Sequence, residues 1–153
     1  MSDYPDAELV ENLRFNMENN RIAHAESSNV AVEGYLWGAN TDNLVRHIGE
    51  SGKFDRLVLA DLLFNHSEHA KLVQTIQQTL KRTPDATALV WFTPYRPWLL
   101  EKDLAFFDLA RQGGFKVQKI YEKVMENVMF QNDPGVPSVH STFCSAHTDD
   151  LPG

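Results

Sequence analysis

Leu57-Val58-Leu59-Ala60-Asp61-Leu62-Leu63-Phe64-Asn65-His66-Ser67-Glu68 is the stretch on which the reading of this chain turns. Leu57 to Ala60 is a short, unbroken apolar run with the length and character of a strand buried in a parallel sheet. It ends on a carboxylate, Asp61, and an aromatic, Phe64, follows three residues later. Asn65 is placed to N-cap a helix, with Glu68 completing a capping box. Strand, acid, short loop and capped helix make one βα unit. Open α/β sheets bind ligands beyond the carboxyl ends of their strands, so Asp61 to Phe64 stand at a candidate ligand edge.

Working outward, the next helix carries Leu72, Ile76 and Leu80 on one stripe with Val73 beside them, and Thr83-Pro84-Asp85 stops it. Ala88 to Phe92 is a second apolar strand leading into Thr93-Pro94-Tyr95-Arg96-Pro97. Trp98 to Gln112 reads as a helix with Leu100, Leu104, Phe107 and Ala110 inward. Phe115 to Tyr121 is a further strand, with Phe115 and Val117 alternating against Lys116, Gln118 and Lys119. Upstream, Leu9, Val10, Leu13 and Met17 form a helical stripe behind Pro5. A polar connection through Asn19-Asn20 and Ser27-Ser28-Asn29 reaches a short strand at Val30-Ala31-Val32, which runs into Glu33-Gly34-Tyr35-Leu36-Trp37-Gly38. Thr41 or Asp42 caps a short helix through Leu44, Val45 and Ile48.

Beyond Asp133-Pro134-Gly135 the periodicity fails, and Val139 to Ala146 is at most a weak strand. Alternating helices and strands predict an α/β fold with a mostly parallel sheet and flanking helices. The expected organisation is a partial domain over 1–135 and an irregular or disordered tail over 136–153. Such sheets seldom open on a helix, so a strand reads as absent before Asp3.

Composition narrows the function classes. The length of 153 residues suits one domain with a single core, and 42% apolar with 23% charged residues is ordinary for a soluble protein. A net charge of -7 argues against nucleic acid, which needs clustered Lys and Arg; it is compatible with a basic protein substrate, though solubility alone explains it. The single cysteine, Cys144, allows no internal disulfide and fits a reducing compartment, with the cytoplasm as default. No run approaches the roughly 18 apolar residues of a membrane helix, and no apolar signal core is seen. Neither a G-x-G-x-x-G nor a phosphate-binding G-x-x-x-x-G-K-[ST] loop occurs, and no G-x-S-x-G elbow. His66 and His69 lack the i, i+4 spacing of a helical metal pair and have no third ligand, so they read as a solvated first helical turn with Glu68 as cap, and no metal is expected. Cys144, between His140 and His147, lies in a stretch without the period to hold a site.

Three features remain: Asp3 before the first helix, Trp37 after the second strand, and Asp61 with Phe64 after the central one. Each has a plain structural reading, as a helix-start acid, a core tryptophan and a loop acid. At successive strand ends of one α/β sheet they describe a crevice shaped for a nucleoside, with carboxylates for ribose and an aromatic for a flat ring.

Asp3-Tyr4-Pro5-Asp6 with Asn12-Leu13 and Asn16, Glu33-Gly34-Tyr35-Leu36-Trp37-Gly38, and Ala60-Asp61-Leu62-Leu63-Phe64-Asn65-His66 resemble, in order, segments of the family-16 class I methyltransferases, the lysine methyltransferase-like group. Phe92-Thr93-Pro94-Tyr95-Arg96-Pro97, Phe106-Phe107 and Gly114-Phe115-Lys116-Val117 continue the match, which covers about residues 2–135 and is most like the fungal elongation factor methyltransferases, also labelled nicotinamide N-methyltransferase-like. The resemblance implies a partial Rossmann-like fold and S-adenosylmethionine as methyl donor. Asp3 would hold the ribose, Trp37 border the adenine and Ala60 lie at the donor, while Asp61 and Phe64 face the methyl group and the incoming amine. The implied protein substrate is the N-terminal region of translation elongation factor 1-alpha, at its terminal amine and an adjacent lysine; the older label implies nicotinamide. Family members open with a strand and a glycine-rich turn and close on an antiparallel strand; this sequence is expected to lack both ends. An inactive remnant that serves as a binding module is the alternative from another class.

Overall fold

The computed structural model describes residues 1–19, 30–49, 52–94, 96–125 and 139–148. The polar connection over 20–29 and the domain limit at 135/136 lie outside the described residues. The chain forms two compact units, Met1–Gly52 and Lys53–Gly153.

In the first unit, β1 (Ser2–Asp3) runs parallel to β2 (Glu33–Gly34), with Asp3 opposite Gly34. Helix α1 (Ala7–Asn19) lies between them in sequence. Asp6 starts it: its Oδ1 accepts the amides of Glu8 at 3.0 Å and Leu9 at 3.2 Å, groups with no partner inside the helix. Gly34 is required by close approach, since a Cβ there would meet the Pro5 Cα at 2.9 Å and Val10 Cγ2 at 3.2 Å. Val10, Val32 and Tyr35 are its buried apolar residues. Helix α2 (Asp42–Val45) is a single turn whose first amide is met by the Asn40 side chain at 2.7 Å, rather than by a Thr41 or Asp42 cap.

The second unit is a four-stranded sheet in the order β3-β4-β6-β5. β3 (Arg56–Ala60) and β4 (Thr87–Phe92) are parallel, in register from Arg56 against Thr87 to Ala60 against Trp91. Helix α3 (His69–Thr79) connects them, and α4 (Leu100–Gln112) leads from β4 to β5 (Phe115–Met125). β6 (Val139–Thr148) then inserts antiparallel between β4 and β5. The weak strand read at Val139 to Ala146 is thus a full strand over Val139–Thr148. The segment has no apolar period of its own to announce it; ladders on both sides define it, and strand formation answers to neighbours more than to intrinsic preference. A register shift between Lys119 and Tyr121 ends the alternation read in β5 and leaves Ile120 and Tyr121 both about half exposed, at 52% and 48%.

Alternate residues of β4, Ala88, Val90 and Phe92, are buried, and Phe92 meets Phe107 of α4 at 5.9 Å. Full burial of such apolar side chains contributes about 1.5–3 kcal/mol each. α3 buries Leu72, Val73 and Ile76 as its stripe predicts. α4 is turned from expectation: Asp103, Phe106, Phe107 and Ala110 are buried, while Leu104 is exposed. The inward row therefore starts on an acid, which apolar counting passes over.

Candidate active site

β3 is followed by Asp61, which turns the chain with φ of 52°, the one positive value among described residues other than glycine. That conformation costs roughly 1–2 kcal/mol for most residues and least for Asn and Asp. Two bonds impose it. The Asp61 amide donates to the Trp91 carbonyl at 2.8 Å, and its Oδ1 accepts the Thr93 amide at 2.9 Å. The carboxylate thus ties the end of β3 to the end of β4. Ala60, just before it, is exposed.

The loop after Asp61 is held at three further points. Leu63 is buried, and its carbonyl accepts Nε2–H of His69 at 2.8 Å, which fixes the tautomer of that ring. Arg96 Nη2 reaches the Phe64 carbonyl at 3.5 Å. His66 Nε2 meets Asp103 Oδ1 at 2.6 Å. Between these ties the Phe64 ring is 51% exposed. The expected solvated turn is corrected: His69 is 2% exposed and stands edge-on to Phe106 with centroids 5.5 Å apart. Burial pushes its pKa below the usual 6.5, against the opposing pull of the Leu63 carbonyl and of Asp103. The capping box does not form either. The first turn is a 3₁₀ segment, His66–Glu68; the Asn65 side chain accepts the Ser67 hydroxyl at 3.0 Å, and Glu68 pairs with Lys71 at 2.8 Å.

A hollow of about 280 Å³, its open mouth included, lies at this edge and is lined by Asp61, Phe64, Phe92, Thr93, Arg96 and Asp103. Asp61 and Phe64, named from sequence, share it. Arg96 comes from the loop after β4, to which the sequence reading gave no role; Asp103 was legible only as a charge beside Phe106 and Phe107 on an otherwise apolar row. No group of three or more His, Cys, Asp or Glu among the described residues is arranged to hold a metal ion.

In the first unit, Asp3 is exposed at the end of β1, with Oδ1 on the neighbouring Tyr4 amide at 2.7 Å. Since Asp6 does the capping, the plain reading of Asp3 as the helix-start acid does not hold. Trp37 is half-buried in a turn closed by the Ala39 amide on the Leu36 carbonyl at 3.0 Å, with Gly38 at φ 78°. The buried aromatic there is Tyr35, whose hydroxyl donates to the Ala39 carbonyl at 3.0 Å. Asp3 thus ends β1, Trp37 follows β2, and both remain accessible; these strands form a two-stranded sheet, and Asp61 follows a strand of the four-stranded one, which corrects the expectation of strand ends on one sheet. Nearby, Glu33 Oε1 accepts His47 Nε2 at 2.7 Å and Arg46 Nη2 at 2.5 Å, which together hold its carboxyl below the usual range, His47 most.

The parallel strands with flanking helices, and the antiparallel strand set before the last parallel one, define a partial class I methyltransferase fold of Rossmann-like type. A solved structure, the precorrin-6y C5,15-methyltransferase of Geobacter metallireducens, matches with a TM-score of 0.54 over 97% of this chain and 65% of its own, at 11% identity, which speaks for the fold alone. A family model described as "Lysine methyltransferase" matches residues 1–112, and the chain belongs to that family. The protein N-terminal and lysine N-methyltransferase efm7 of Aspergillus fumigatus is 47% identical over 136 residues, covering 88% of this chain and 52% of its own length. The protein of the same name from Schizosaccharomyces pombe is 40% identical over 144 residues, covering 92% and 54%. The chain thus spans about half the length of these relatives. No helix among the described residues is long and apolar enough to cross a membrane.

Proposed function

We propose that this chain carries the acceptor side, and part of the donor side, of an S-adenosylmethionine-dependent protein N-methyltransferase. The observation that carries the proposal is Asp61, held in a left-handed conformation by two bonds to the end of β4, beside an exposed Phe64 on one hollow. The family and the names of the relatives favour amine nitrogens of proteins as acceptors. The N-terminal region of translation elongation factor 1-alpha is the substrate that the resemblance implies, and a cytoplasmic setting goes with it, since a chain with one cysteine needs no oxidising compartment.

The residues present fit the nucleoside end of S-adenosylmethionine: an exposed carboxylate at Asp3 and a part-open indole at Trp37. By the resemblance, Asp3 and Trp37 of the first unit would serve the ribose and the adenine; in the second unit Ala60, small and exposed at a strand end, is the residue the resemblance assigns to the donor. When bound, the donor supplies a sulfonium-borne methyl group, whose S–C bond breaks as the N–C bond forms. For the protein the work is positioning and charge. The amine must shed a proton to solvent before its lone pair can attack. Asp61 accepts an N–H of that amine, aims the lone pair, and stabilises the positive charge that gathers on nitrogen. Phe64 offers its face to the same charge.

The test is transfer of labelled methyl to a peptide bearing the factor's N-terminus, beside a peptide with its amines acetylated. Transfer to the first alone, reduced at least tenfold by Phe64→Ala, is the expected result. Equal labelling of both peptides, or an unchanged rate in Phe64→Ala, would contradict the proposal.

A further inference from the structure

Asp103 is the carboxylate of the hollow to which the transfer chemistry gives no task. It stands on the inward row of α4, 6% exposed, with Oδ1 on His66 Nε2 at 2.6 Å. Its second oxygen has no partner among the described residues, whereas buried carboxylates ordinarily find partners for both. The same hollow holds Asp61, Arg96 and the aromatic rings of Phe64 and Phe92. Two carboxylates against one guanidinium leave the lining one negative charge in excess, which complements a single ammonium group.

We infer that Asp103, oriented by His66, is a second carboxylate of the acceptor site, and that with Asp61 it selects acceptors whose nitrogen carries N–H and positive charge. The inference rests on the proposed methyl transfer for the identity of the acceptor. An ammonium group has several N–H donors, enough for one to each carboxylate. A pyridine nitrogen, as in nicotinamide, has no N–H and is neutral near pH 7, so the reacting nitrogen itself offers neither a donor nor a charge to the two carboxylates. Sites built to hydrogen-bond a donor discriminate strongly against ligands that lack one. His66 is a positioning residue: while it holds Oδ1, the other oxygen stays fixed.

The test compares Asp103→Asn, His66→Gln and His66→Leu with the wild-type protein. The probe is a peptide with a free N-terminal amine and one lysine, set against its fully acetylated form. Calorimetry reads peptide affinity; labelled methyl transfer reads KM and kcat. Wild type is expected to prefer the free peptide about tenfold, and Asp103→Asn to lose that preference and raise KM about tenfold with kcat within about threefold. His66→Gln keeps a donor for Oδ1 and should stay within about twofold of wild type, whereas His66→Leu should raise KM about fivefold. Wild-type preference and KM in Asp103→Asn overturn the inference and leave methyl transfer standing. A wild type that transfers no methyl, yet binds the free peptide through Asp103, overturns the activity and supports the charge-selective seat. If Asp103→Asn does not fold, the His66 pair decides: equal KM in Gln and Leu variants overturns the positioning role.

Discussion

Asp3 and Asp61 both stand where a short parallel strand ends, yet they are held in different ways. Among the described residues Asp3 Oδ1 reaches only the amide of Tyr4, the next residue, and the turn that carries Trp37 is likewise closed within four residues. Asp61 Oδ1 reaches Thr93, 32 residues away, and the loop behind it is tied to α3 by His69 and to α4 through His66 and Asp103. A ligand contact set by a local turn needs little from the rest of the fold. A contact set across strands and helices exists only when those elements are packed, and the residues that hold it carry stability as well as geometry.

That contrast can be broken from its strongest side first. His69→Ala removes a buried ring and orphans the Leu63 carbonyl, so urea unfolding should show a loss of about 3 kcal/mol; a loss under about 0.5 kcal/mol would mean that the loop does not depend on this tie. Next, Asp61→Ala and Asp61→Gly both lose the Thr93 bond, but only Gly relieves the positive φ. The Gly variant should be the more stable of the two by about 1 kcal/mol, and equal stabilities would deny strain at this turn.

The same histidine predicts a pH effect. Its folded pKa is depressed, so the unfolded chain takes up a proton near 6.5 more readily than the folded one. Stability should be intact above that value and fall as pH drops below it, and His69→Gln, which cannot titrate, should remove that part of the slope. The weakest expected effect is on the other unit. Asp3→Ala should change stability by less than about 0.5 kcal/mol, and a larger loss would show that Asp3 is held by more than its own turn.

How much could be read beforehand follows the same division. β3, β4, the stripe of α3 and the place of Asp61 and Phe64 just after β3 were legible because apolar runs and strand-end acids are local patterns. Asp6 and the turn at Trp37 are local too, although the cap was misplaced, whereas Gly34 is needed because Pro5 and Val10 approach it from far along the chain. What escaped depends on partners far along the chain. β6 is a strand because β4 and β5 flank it, His69 is buried because α4 brings Phe106 against it, and Asp103 points inward where counting favoured Leu104. The HSEH segment shows the point most clearly. Its spacing was read as unlike a helical metal pair and, from there, as solvent-facing, when His69 bonds the Leu63 carbonyl and His66 bonds Asp103 around the loop that carries Phe64.

The most direct measurement is the rate of methyl transfer to an amine-bearing peptide by Asp61→Asn, alongside its calorimetric affinity for S-adenosylmethionine. The neutral isostere should leave donor affinity within about threefold and lower the transfer rate by about a hundredfold, the scale seen when a charge-stabilising group is removed from a transition state. A transfer rate equal to that of the wild type would contradict the assignment of this strand end as the acceptor site.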